Sequence, residues 1–169
     1  MTGQLEQFED RLYATLGRFI VEFEGLCQTI RLSCIRVFEH AGLRNRELAE
    51  ITFASLTATP LFELYVSLTA EAYDLNGGQQ VQLRKISKVM HELVAVRNKA
   101  IHGTWTLIDF ADTENGTPDA ILSSSRRKPH GLERVVSSLS HEQLRKHTLQ
   151  LKELNAAIST FGHSLKSDA

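Results

Sequence analysis

The sequence predicts an all-α fold of four to five helices, with a small β-hairpin or meander inserted before the last helix. Three observations lead there. Over most of the chain apolar residues recur every three or four positions, the period of amphipathic helices. Between Thr104 and Ser138 that period gives way to short runs with rough alternation. Ser140-His141-Glu142-Gln143 then has the pattern of a capping box, which opens a new helix.

The first helix is read from Leu5, Phe8, Leu12, Leu16, Phe19, Ile20, Phe23, Cys27, Ile30, Cys34, Val37 and Phe38, and its end is expected near Ala41-Gly42. Thr59-Pro60 divides the block from Asn45 to Leu75, because proline suits a first helical turn and threonine the cap before it. Leu48, Ile51 and Leu56 are assigned to the first piece and Leu61, Leu64, Tyr65 and Leu68 to the second. A single kinked helix is the alternative. Asn76-Gly77-Gly78 is read as the stop of this block, and the next helix as running from about Gln79 to His102. In the final helix Leu144, Leu151, Leu154, Ile158, Phe161 and Leu165 form the expected buried face.

Composition limits the function. With 169 residues, 42% of them hydrophobic, the chain can bury a core and is expected to form a single domain, 1–169, with the insert at about 104–138. Nineteen basic and twenty acidic residues give a formal charge of −1, so bulk positive charge cannot drive binding to nucleic acid or an acidic membrane. The start, MTGQLEQFED, has no basic region followed by an apolar run, and no membrane-spanning run follows, so a soluble, cytoplasmic protein is expected. Cys27 and Cys34, seven residues apart on one helix, are separated by about 10 Å, beyond disulfide range, and read as buried thiols. Zinc-hydrolase, P-loop and nucleophile-elbow patterns are all missing, and no metal or cofactor is implied.

One residue breaks the helical pattern. With Ile86 at zero on a wheel of about 100° per residue, Val89, Met90, Leu93 and Ala100 lie within about 60°, and Arg97 lies at about 20°. A guanidinium inside an apolar stripe needs a carboxylate, a set of carbonyls or a ligand cleft. His102 follows at the helix end. Metal-free RNA cleavage needs a base for the 2′-hydroxyl, an acid for the leaving 5′-oxygen and a fixed cation for the phosphorane, and histidine and arginine supply these properties. Five residues place two helical side chains about 140° apart, but a left-handed Gly103 would release His102 from the regular wheel. The other six histidines (His40, His91, His130, His141, His147 and His163) are read as surface or structural residues. Ser125 to Gly131, with Arg126, Arg127 and Lys128, reads as a basic exposed loop, either solvated or touching phosphate.

Arg97-Asn98-Lys99-Ala100-Ile101-His102, followed by Gly103 and Trp105, resembles the R-x(4–6)-H signature of the HEPN superfamily in its prokaryotic RN…HG.W form. The resemblance implies an up-and-down helical bundle and a two-fold homodimer whose third long helices face each other. It also implies a metal-independent endoribonuclease site between the protomers, in a toxin or defence effector with an antitoxin or regulatory partner. Arg97 and His102 would then be the catalytic pair and Asn98 the residue that orients it, with Lys99, Arg126, Arg127 and Lys128 as candidate RNA contacts. Many members that pair with a nucleotidyltransferase antitoxin carry a tyrosine where this chain has Thr104, so control by tyrosine modification is not expected. Other members are catalytically silent, which leaves a dimerising or ligand-binding module as the alternative.

Overall fold

The computed structural model describes residues 2–108, 119–128 and 131–167. The chain is an all-α bundle of five helices with a small antiparallel sheet before the last: α1 (Thr2–His40), α2 (Arg46–Ala54), α3 (Ala58–Ala72), α4 (Gly77–His102), β1 (Thr104–Ile108), β2 (Asp119–Lys128), β3 (Gly131–Ser138) and α5 (His141–Ser167). No helix among the described residues is long and apolar enough to cross a membrane.

Several helix boundaries have a local chemical reason. Gly42 ends α1 in the left-handed region at φ 95°. There Gly42 N donates to Glu39 O at 3.1 Å and Leu43 N to Phe38 O at 2.9 Å, so both bonds of a Schellman motif are made. Asn45 caps α2, its Oδ1 accepting from Leu48 N at 3.2 Å. The start of α3 lies two residues earlier than the sequence suggests, with Thr57 in the cap position but its side chain making no capping bond among the described residues. Pro60 is then the third helical residue, still among those whose N–H lacks an intrahelical acceptor, so the missing donor does no harm there.

Asn76-Gly77-Gly78 is a start and not a stop. Gln79 N donates to Asn76 Oδ1 and Asn76 N to Gln79 Oε1, each at 3.0 Å, a reciprocal box that opens α4 at Gly77. The expected box at α5 is present, with Ser140 N donating to Gln143 Oε1 at 2.8 Å and Gln143 N to Ser140 Oγ at 3.2 Å.

The described chain divides into two compact units, Met1–Val21 with Ala95–Leu149, and Glu22–Val94 with Gln150–Ala169. In the first, Leu12, Thr15, Phe19, Ala100, Leu122, Leu139 and Leu144 are buried. Its sheet is a meander in the order β1-β2-β3, both pairs antiparallel, with Trp105 opposite Leu122 and Leu122 opposite Ser137. The turn read at Asn115-Gly116 and Pro118 lies outside the described residues.

In the second unit, Phe23 of α1 packs against Phe62 of α3 with ring centroids 6.2 Å apart, and Phe38 against Phe53 of α2 at 5.5 Å. Cys27 and Cys34 are both buried, and no disulfide joins them. The six α5 leucine, isoleucine and phenylalanine positions expected to be buried are all so, Leu144 in the first unit and the other five in the second. The stripe assigned to α2 is wrong: Leu48 and Ile51 are exposed at 54% and 65%, and Ala49 and Phe53 carry the buried face. In so short a helix the aromatic ring, with the larger apolar area to hide, sets the rotation.

Candidate functional site

The motif of Arg97 to His102 occupies the last turns of α4, within the first unit. Arg97 is half-buried, and its Nη1 donates to Asn98 Oδ1 at 3.3 Å. The neighbouring amide therefore restrains one end of the guanidinium. Lys99 and His102 are exposed, and Ile101 between them is 40% exposed. His102 is the last helical residue, and its ring makes no hydrogen bond among the described residues.

The backbone beneath this exposed imidazole is firmly held. Gly103 N donates to Lys99 O at 2.9 Å, and the indole Nε1 of Trp105 donates to Ala100 O at 2.9 Å. Two carbonyls that a helix end leaves without partners are thus satisfied. The chain enters β1 one residue after Gly103, pairing Thr104 with Ser123 and Trp105 with Leu122. In the sequence Trp105 stands out only as part of the signature, whereas in the structure its indole caps the end of α4.

Gly103 is needed for a different reason from the one expected. Gly42 is the only described glycine with positive φ, so Gly103 is not left-handed. A Cβ at Gly103 would overlap the side chain of Leu122 and stand 2.7 Å from Lys99 O. Glycine is therefore selected by close approach of β2 to the helix end. One consequence is that helical geometry extends through His102, so Arg97 and His102 of one chain diverge by about 140° around α4. The structure does not bring them together within one chain.

No family model, characterised protein or solved structure matches the chain.

The other candidates divide in the same plain way. Arg126, Arg127 and Lys128 are strand residues of β2, in register with Glu133, Leu132 and Gly131, and not members of a long loop. Their side chains, and His130, lie outside the described residues. Of the histidines read as structural, His91 and His163 place Nδ1 against Ser87 O at 2.8 Å and Ser159 O at 2.6 Å, one helical turn back. His40 stacks on Tyr73 with ring centroids 4.5 Å apart. Among the described residues no group of three or more His, Cys, Asp or Glu side chains could hold a metal ion.

Proposed function

We propose that the chain is a metal-independent endoribonuclease of the HEPN type, acting in the cytoplasm as a homodimer and serving as a toxin or defence effector. The observation that carries this reading is the end of α4, where Asn98 holds the Arg97 guanidinium and His102 stands exposed on a backbone fixed by Gly103 and Trp105.

Because Arg97 and His102 diverge on one helix, a complete site takes both from two copies of the chain. One His102 removes the 2′-hydroxyl proton of the RNA, and O2′ attacks the adjacent phosphorus. The second copy's His102 gives a proton to the departing O5′, while Arg97 balances the charge that builds on the phosphorane. The P–O5′ bond breaks as the P–O2′ bond forms, leaving a 2′,3′-cyclic phosphate and a 5′-hydroxyl. Lys99 and the Arg126–Lys128 segment of β2 supply phosphate contacts, and an antitoxin or other regulatory protein controls access to the site.

Incubating purified protein with mixed RNA in EDTA tests the proposal. The expected products carry 2′,3′-cyclic phosphate and 5′-hydroxyl ends, whereas intact RNA, or cleavage only when a divalent ion is added, contradicts it. The second reading is a non-catalytic HEPN-like dimerisation or ligand-binding module. What favours it is the same 140° divergence, which leaves a single chain without an assembled pair. It predicts a dimer that holds RNA or another ligand without cutting it.

A further inference from the structure

Arg97 is not the only arginine in an apolar register. Arg31 lies four residues after Cys27 and four before Ile35, both buried, and so borders the apolar stripe of α1. It is half-buried, and its hydrogen bonding is poor for a charged group. Nη2 reaches Leu56 O only at 3.4 Å, and Nε is shielded from solvent with no acceptor among the described residues. A guanidinium carries five donors and cannot shed its charge, and the shielded Nε–H is the one left without an acceptor among the described residues.

Arg31 also lines a cleft of about 350 Å³ between α1 and α2, within the second unit. Leu32, Ile35 and Phe53 give the cleft an apolar wall, Gln28 adds an amide, and Glu50 adds a carboxylate. Glu50 is already engaged by Arg46 Nε at 2.9 Å. It does not neutralise Arg31, but its charge penalises any ligand with high negative charge density. The volume falls within the range of small-molecule sites, and the wall sets the polar Gln28, Arg31 and Glu50 beside the apolar Leu32, Ile35, Phe53 and Ala54.

We infer that this cleft binds a small carboxylate with an apolar body, the carboxylate meeting the Arg31 guanidinium and the body lying on Leu32, Ile35 and Phe53. A planar carboxylate matches the guanidinium fork, and one negative charge is tolerated beside Glu50 where a dianion is not. None of these residues belongs to the α4 motif, and the assignment does not depend on RNA cleavage.

The test uses benzoate as the probe, with benzyl alcohol as the uncharged control and inorganic phosphate as the dianionic one. Binding is followed on the full-length protein through the arginine Nε–H resonances and by calorimetry. Benzoate is expected to shift the Arg31 resonance saturably and benzyl alcohol to leave it unmoved. Arg31→Met should weaken benzoate at least roughly tenfold, since hydrogen bonds to a charged group are lost. Arg31→Lys retains charge and stem and guards against a folding artefact, and it too should bind more weakly because the fork is gone. Glu50→Gln, at an exposed position, should tighten binding. The inference is overturned if benzoate produces no saturable shift, if benzyl alcohol does as well, if both Arg31 variants bind as the parent does, or if phosphate binds the same group more tightly than benzoate.

Discussion

Replacing Gly103 by alanine tests how rigidly the end of α4 is held. An added Cβ would stand 2.7 Å from Lys99 O and 2.9 Å from Leu122 Cγ, with Leu122 Cδ1 closer still. Neither neighbour can move cheaply. Lys99 O is backbone and already accepts from Gly103 N, and Leu122 is 1% exposed in the core of its unit. Overpacking of this kind costs about 1–3 kcal/mol, and a rigid carbonyl on one side puts Gly103→Ala in the upper half of that range. For a chain of this length each kcal/mol moves the melting temperature by about 2–4 °C, so a fall of roughly 4–12 °C is expected. Gly17→Ala and Gly25→Ala are the controls, because no atom beyond the helix's own backbone lies within 4 Å of a Cβ at either position in α1. There alanine should stabilise by about 0.5–1 kcal/mol through helix propensity alone. Thermal unfolding of the three variants measures the contrast. If Gly103→Ala melts with the parent or above it, the close approach of β2 is not what selects glycine.

Three further outcomes follow from named contacts. Trp105→Phe removes the indole donor from Ala100 O and should lower stability by about 1 kcal/mol in denaturant unfolding, with the native circular dichroism retained. Asn76→Ala breaks one half of the box that opens α4 and should cost about 1 kcal/mol by the same measurement, while Asn76→Asp should restore most of it. Burial pushes the Cys34 thiol from an ordinary 9.0 up to about 12. The folded state therefore holds its proton at pH values where the unfolded state has lost it, so this contribution to stability is intact below about 9 and disappears as pH rises toward about 12. Alkylation of Cys34 at pH 8 should be slow in the native protein and rapid in urea.

The helical frame was legible because its signals are local. The period of α1, the buried face of α5 and the Ser140–Gln143 box each depend on residues a few positions apart, and each is found where the sequence places it. The misreadings have physical causes. Asn-Gly-Gly looks like a helix terminator, but Asn76 has a glutamine three residues on, and the reciprocal bond makes it a cap. In α2 the competition between Leu48-Ile51 and Ala49-Phe53 was decided by packing against Phe38, a ring in another helix. The charge of Arg126 to Lys128 suggests a solvated loop, whereas pairing with Gly131 to Glu133 places its backbone in a ladder.

The candidate site was legible in part. The wheel puts Arg97 inside the apolar stripe, and the structure has it half-buried with Asn98 against it. The conformation of Gly103 was not legible, since close approach to Leu122 depends on a strand 19 residues away in sequence. Arg31 carries the same signal as Arg97, a cation at four-residue spacing from buried apolar residues. What separates the two in sequence is the flanking Asn98 and His102, which Arg31 lacks.

The central claim is that His102 cuts RNA, and the most direct measurement is the initial cleavage rate of His102→Ala in EDTA beside the parent protein. The exposed ring makes no hydrogen bond among the described residues, so the variant should keep the parent's circular dichroism and melting temperature. Loss of proton transfer should lower the rate by about 10²–10⁴-fold. A folded His102→Ala protein that cleaves at the parent's rate would contradict the account.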